Sequence, residues 1–387
     1  MATILYPGIL ITPETVITDA CVQWDESGLI LYAGQTSNAP SLAGDVIHAK
    51  NLTAIPGLID MHVHGGFGIT FGLGSLEDEL RSYSQQVAAH GVTGFVITIS
   101  GPDPDFITDK IVRYAALLEE EYAGAQPLGL HLEGPFLNPA RHGAFNPDWI
   151  HNPSEQEMQR YIDAGKGWIK HVSLAPELPG SQEVASMLRQ HGIHAALGHS
   201  DTDYDTAAQA LSGDFTHVTH TFNAQSSLHH RQPGVIGAIL SSDNASAELI
   251  ADGEHVHPAA MRILVRCLGA ERVCLITDAM PGAGLPDGDY ELLGQAVQVQ
   301  DGVARLPDGT FAGSTALMDD CLRNMVGLAG FPLADAARMA ATNPARVLGY
   351  GLSIGRIQKG FNADIALIDD DLRVKMTIKN GNFIFKE

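Results

Sequence analysis

His62 and His64 stand at i and i+2 at the end of an apolar run, IPGLIDMHVHGG, over residues 55–66. On an extended strand those two positions share a face, so the two imidazoles can grip one metal ion. Gly65 and Gly66 then let the chain turn away without crowding whatever binds there. Alone, such a pair is more often two surface histidines beside a glycine turn. Four further residues reverse that judgement: Glu133 in HLEGPF, His199 in LGHSD, His220 in THVTHTF and Asp278 in ITDA, each closing a strand-like run. Singly, each has a structural alternative, as a hydrogen-bonded core carboxylate, a neighbour of a helix cap, one histidine among several, or a strand-end cap. Independent caps have no reason to converge on one rim of one fold.

The chemistry of such a set is specific. A carboxylate and two imidazoles leave an open position on a divalent ion, where a water loses enough pKa to become hydroxide near neutral pH. Glu133, His199 and His220 fit that description. His62 and His64 can hold a second ion, with Glu133 or water bridging, so one or two ions per chain suit these residues. Asp278 suits a general base and acid that accepts the proton of the attacking water and returns it to the leaving group. The reaction class is metal-assisted hydrolysis.

The elements that must position these residues are legible as alternating patterns. Eight strand-like runs, IPGLIDMHVH, GFVITIS, PLGLHLEG, IKHVSLAPE, HAALGHS, FTHVTHTFNA, AELIADGEHV and VCLITDA, end in polar or ionisable residues. Most are separated by helical patterns. Ser75 reads as an N-cap followed by Leu76, Leu80, Tyr83 and Val87 at helical spacing, and Gly91 stops the run. Similar stretches lie near 106–122, 154–164, 182–191, 202–212, 257–268 and 316–329. This alternation predicts a (β/α)8 TIM-type barrel, whose chemistry sits at the C-terminal ends of its strands. Both chain ends instead alternate in short pieces broken by turns, with Asn380-Gly381 as a hairpin turn. They predict a small β-sandwich domain built from 1–53 plus 356–387 around a catalytic barrel over 54–355.

Composition bounds the partners. With 23 Lys and Arg against 45 Asp and Glu, the net charge of −22 argues against nucleic acid or an anionic membrane surface. An anionic substrate would need local positive charge from the site. No apolar run approaches the roughly 18 residues that cross a bilayer, and MATILYPGIL lacks a basic flank, so a soluble cytoplasmic protein is expected. Cys21, Cys267, Cys274 and Cys321 form no CxxC pair and read as reduced thiols.

In this order and spacing the blocks resemble the amidohydrolase superfamily, and more fully its N-acetylglucosamine-6-phosphate deacetylase family. PGLIDMHVHGG, HLEGPFLNPARHGAFNP, SLAPE, LGHSD, THTFNA, RQPGVIGAIL, IADGEHVHP, LITDAM, TNPAR and GRIQKGFNADIALID span nearly the whole chain. The resemblance implies a hydrolase using zinc or another divalent metal to remove acetate from an N-acetylhexosamine 6-phosphate. A homodimer in amino-sugar metabolism is implied with it. By the same resemblance the metal ligands fall on Glu133, His199 and His220 and the catalytic aspartate on Asp278. The sugar-phosphate contacts fall on Asn223, the backbone at Ala224, Arg231 and His255, the last two on phosphate, with a dimer interface as one route for them.

The chain departs from the family pattern at two places. Many members carry a histidine twelve residues after the metal glutamate, placed to polarise the acetamide carbonyl, where this chain has Phe145. His142 lies nearby and is the candidate substitute for binding and polarising the amide. Gln225 replaces the methionine common after the Asn-Ala pair, a change that either alters which sugar fits or is neutral. The fourth-strand run ends in Glu177, and Lys170, at the wrong end of that strand to bridge metals, reads as solvated structure. A second hydrolase reading keeps the mechanism with N-acetylgalactosamine 6-phosphate or another N-acyl amine as substrate. A reading from another class is a non-catalytic scaffold that retains the barrel for oligomerisation, against which the intact ligand set with Asp278 argues.

Overall fold

The structure, a computed structural model, describes residues 2–387. Eight parallel strands form one sheet in sequential order: β1 (Leu58–Val63), β2 (Val92–Ile99), β3 (Gln126–Glu133), β4 (Ile169–Leu174), β5 (His194–Leu197), β6 (Phe215–Val218), β7 (Ser246–Ile250) and β8 (Val273–Ile276). They are the eight runs expected from the sequence. The seam between β8 and β1 is narrow. Just beyond β8, a parallel bridge joins Val63 to Ala279, Asp278 N donates to His62 O at 3.0 Å, and His64 N donates to Ala279 O at 3.0 Å. These bonds tie the first-strand histidines to the aspartate at the end of the eighth.

Helices α1 (Leu76–Ala88), α2 (Pro104–Leu117), α3 (Glu155–Gly165), α4 (Ser181–Gln190), α5 (Tyr204–Ser212), α6 (Gly234–Leu240), α7 (Pro258–Leu268) and α8 (Met318–Gly327) follow the strands. Leu76, Leu80, Tyr83 and Val87 are buried on α1, as their spacing requires. Ser75 occupies the N-cap position without a side-chain bond, and Glu79 reaches back to the backbone N–H groups of Gly72 and Gly74 instead. α2 starts earlier than the apolar pattern suggested, because Asp103 caps it by accepting from Phe106 N at 2.8 Å, with Pro104 in its first turn. α6, sequence GVIGAIL, was not separable from a strand by composition, since its residues are apolar on every side.

A second eight-stranded sheet draws on both chain ends. Gly44–Pro56 pairs in parallel with Ala2–Ile11 on one side and antiparallel with Ile365–Ile368 on the other, then leads through Gly57 into β1. Leu5, Leu10, Val22, Trp24, Ile30, Ile365, Leu367 and Ile378 cluster as the small core that this sheet folds over. Asn380 and Gly381 join its last two strands with φ of 48° and 75°, the left-handed pair that a tight two-residue hairpin turn needs. A three-stranded antiparallel insertion, Gly288–Leu292, Gln295–Gln300 and Val303–Arg305, stands between β8 and α8 and was not anticipated. The four cysteines are unpaired, and among the described residues no helix is long and apolar enough to cross a membrane.

Candidate active site

The first-strand histidines, Glu133, His199, His220 and Asp278 meet at the C-terminal rim of the barrel. His199, His220 and Asp278 lie just past β5, β6 and β8 with φ of 47°, 26° and 51°, left-handed conformations that side-chain-bearing residues rarely adopt. Such conformations persist where surrounding structure over-determines them, as at a functional site.

Glu133 organises the set. Its Oε1 lies 3.2 Å from His199 Nε2 and 3.0 Å from His220 Nε2, while its Oε2 lies 3.0 Å from His64 Nε2 and 3.4 Å from His62 Nε2. The two oxygens thus serve two groups of nitrogens. Asp278 Oδ1 joins the second group at 3.2 Å from His64 Nε2 and 3.5 Å from His62 Nε2. His62, His64 and Asp278 form one trio whose ligand atoms lie within 4.8 Å of one another, and Glu133, His199 and His220 form another.

The tautomers suit cation binding. His199 Nδ1 bonds the Arg141 carbonyl at 2.8 Å and His62 Nδ1 bonds Glu248 Oε2 at 3.0 Å, so in each ring the Nδ1 proton is used and the Nε2 lone pair faces Glu133. Nε2 of His62 is buried and has no hydrogen-bond partner among the described residues, an orphan that a cation would satisfy. Burial opposes charge on Glu133, but His62, His199 and His220 around it hold its pKa well below the ordinary carboxylate value. Asp278 is likewise held low by His62 and His64 against burial, so it is ionised at neutral pH. A set of imidazole nitrogens and carboxylate oxygens at these spacings fits a divalent metal.

A cavity of about 460 Å³ opens above the cluster. His142, Asn223, Ala224 and His255 line it, together with Phe145 and Phe311. His142 Nδ1 bonds the Phe145 carbonyl at 3.1 Å, which leaves Nε2 as its other polar atom. Phe145 meets His199 edge-on with ring centroids 5.2 Å apart, so it braces that histidine and offers the cavity no polar side-chain atom. Asp252 Oδ2 holds His255 Nδ1 at 2.6 Å. Leu292, Leu293, Asp308, Thr310 and Phe311 reach the cavity from the unanticipated insertion and the turn after it.

Arg231 does not join them. It is exposed, with Nη1 2.7 Å from His230 Nε2, and lines a separate depression beside Asp201, Asp203 and Asp205. Gln225 turns inward, donating to Thr219 O at 2.7 Å and accepting from Phe222 N at 3.3 Å, so it braces the loop after β6 and stays out of the cavity. Glu177 likewise holds loops together through Asn138, Ser200 and Asp201. Lys170 is structural, though half-buried instead of solvated: its ammonium lies 5.6 Å and 5.0 Å from the Trp168 and Tyr350 ring centroids.

Sequence reasoning missed Glu248, which is fully buried in β7 and bonded to His62, and the interior histidines His131, His171 and His217. The available signal was an acidic residue inside an apolar strand run, which can be tolerated only if paired.

The chain belongs to the amidohydrolase family, whose model matches residues 53–384. It is 38% identical over 380 residues to the N-acetylglucosamine-6-phosphate deacetylase of Bacillus subtilis (strain 168), covering 97% of this chain and 95% of that protein. It is also 38% identical, over 320 residues, to the N-acetylgalactosamine-6-phosphate deacetylase of Escherichia coli O157:H7, covering 83% of this chain and 84% of that one. The crystal structure of N-acetyl-D-glucosamine-6-phosphate deacetylase from Mycobacterium smegmatis superposes with a TM-score of 0.91 at 33% identity, covering 99% of this chain and 100% of that chain.

Proposed function

We propose that the protein hydrolyses the acetamide of N-acetylglucosamine 6-phosphate to glucosamine 6-phosphate and acetate. The observation that carries this reading is the division of the Glu133 carboxylate between two nitrogen groups, with Asp278 beside it and a cavity above. Glu133, His199 and His220 hold one divalent ion, zinc by preference for an imidazole-rich set, and His62 and His64 hold a second. When bound, the metal supplies Lewis acidity that acidifies water and polarises the amide carbonyl.

The chain's own residues do the rest. Asp278 takes a proton from the attacking water and delivers it to the amide nitrogen, because the amine must be protonated to leave. His142 polarises the acetyl oxygen, where negative charge develops; because Nδ1 already donates to the Phe145 carbonyl, donation from Nε2 as well takes the doubly protonated ring. Asn223, the backbone at Ala224 and His255 hold the sugar phosphate. Arg231 completes the phosphate site from a second copy of the chain, since its guanidinium lies outside the cavity of its own subunit and matches phosphate oxygens with paired donors. A homodimer, a cytoplasmic site of action where sugar phosphates are made, and a role in amino-sugar metabolism follow from this reading. So does the division into 1–53 plus 356–387 and 54–355, supported by the separate core of the terminal sheet.

Acetate and amine release from N-acetylglucosamine 6-phosphate tests the reading, with the N-acetylgalactosamine epimer and unphosphorylated N-acetylglucosamine alongside. Turnover should be fastest on the first, vanish after chelation and return with zinc. Faster turnover of the epimer would move the substrate assignment to the relative of equal identity over a smaller share of the chain. A metal-loaded protein that releases no acetate from either phosphate would defeat it.

A further inference from the structure

Glu248 has no part in the proposed reaction, yet it is wholly buried in the middle of β7. An ionised carboxylate there costs several kcal/mol unless its oxygens are matched by donors. They are matched, and by residues of both metal trios. Oε2 accepts from His62 Nδ1 at 3.0 Å and from the His220 backbone N–H at 3.0 Å, while Oε1 lies 3.2 Å from His217 Nε2. His217 is itself oriented through Nδ1 by Ser246 Oγ at 2.6 Å. His131 packs edge-on against His62 with centroids 4.4 Å apart, closing the other side of that ring.

The two trios are braced differently. His199 leans on a loop carbonyl, that of Arg141, whereas His62 leans on a carboxylate built into the barrel wall. A carboxylate behind an imidazole fixes which nitrogen carries the proton and makes the other a stronger ligand. Here the protonated atom is Nδ1, which aims the Nε2 lone pair towards Glu133 Oε2 and Asp278 Oδ1.

We propose that Glu248 is a positioning residue that sets the His62 tautomer, so that retention of the ion at His62 and His64 depends on it. The inference rests on the reading that these histidines hold metal.

Metal binding by the full chain, followed calorimetrically with zinc chloride and by the visible spectrum with cobalt chloride, tests it in wild type, Glu248→Gln and Glu248→Ala. The wild type should bind two ions. Loss of a carboxylate behind a ligand histidine typically weakens affinity by about 10- to 100-fold, and that loss should fall on one ion in Glu248→Ala. Glu248→Gln should lie between, because its amide oxygen still accepts from His62 Nδ1 without the charge. The other ion should weaken less, since of its ligands only the His220 backbone N–H loses a partner, while His199 Nδ1 keeps the Arg141 carbonyl and the imidazole of His220 loses nothing. A wild type that takes a single ion, variants that bind both ions normally, or equal weakening of both ions with a lowered metal-free melting temperature would each overturn the proposal. If the alanine variant does not fold, the glutamine variant decides. Acetate release is measured separately on the same samples: two tightly held ions without hydrolysis would remove the proposed function and leave the role of Glu248 standing.

Discussion

Replacing Asp278 by asparagine removes its proton handling and leaves its backbone contacts in place. Its backbone bonds, to His62 O at 3.0 Å and from Ser314 N at 2.8 Å, do not involve the side chain. Its φ of 51° is one that asparagine tolerates, so the fold should survive with a melting temperature close to wild type. The carboxylate side chain is 12% exposed and lines the cavity, with Oδ1 beside His64 and His62. An amide keeps that shape but neither accepts a proton from water at neutral pH nor delivers one to an amine. General acid–base catalysis contributes about 10²- to 10⁴-fold, so kcat should fall by about that factor, roughly 3–5 kcal/mol in the barrier. The ion at Glu133, His199 and His220 should remain, because Asp278 is not in that trio, while the one at His62 and His64 should weaken. The assay is amine release by a sample whose metal content has been measured. A folded, metal-loaded Asp278→Asn protein with kcat within about tenfold of wild type would remove Asp278 from proton transfer, since that is below the range for such a group.

Arg231→Ala should raise KM for the phosphorylated sugar by about 10- to 100-fold, the worth of a charge-assisted hydrogen bond, and leave the unphosphorylated sugar unaffected. Equal KM values for the phosphate would remove Arg231 from phosphate binding. His142→Ala should lower kcat by about 10²-fold as an oxyanion donor is lost, whereas unchanged turnover would dismiss it as the substitute for the imidazole that Phe145 replaces. Asp364, 5% exposed in the terminal sheet, has its pKa pushed up to about 6 by burial, against the hydrogen bond from Asn380 N and the charge of Lys379. The folded state therefore holds that proton more tightly than the unfolded chain. Stability from this group is present below about pH 4 and is lost as pH rises through about 6, by at most about 3 kcal/mol. Asp364→Asn should raise the melting temperature at pH 7.5 more than at pH 4.5, and an equal shift at both would contradict the assignment.

Much of the barrel was legible because its signals are local. A parallel strand buried on both faces is a short apolar run, and a helix on its outside repeats every three to four residues, so eight such runs could be counted along the chain. Residues placed at the ends of those runs share one rim by the geometry of the fold, which is why His62, His64, Glu133, His199, His220 and Asp278 could be grouped before their distances were known. The limits were also physical. α6 is apolar all round, so no periodicity distinguished it from a strand. The insertion at 288–305 alternates like any surface hairpin, and only its packing over the rim makes it a wall of the cavity.

Residue types and spacing by themselves determined the barrel and the gathering of metal-ligating residue types, with an aspartate among them, on its rim, because each depends on the nearest few residues and on a repeat. Tertiary structure alone decided that Glu133 divides its oxygens between two trios, that Gln225 faces inward, that Arg231 lies outside the cavity and that Glu248 stands behind His62. Those outcomes depend on which atoms of distant segments come within 3 to 4 Å of each other, and the separation from His62 to Glu248, 186 residues along the chain, leaves no trace in local pattern.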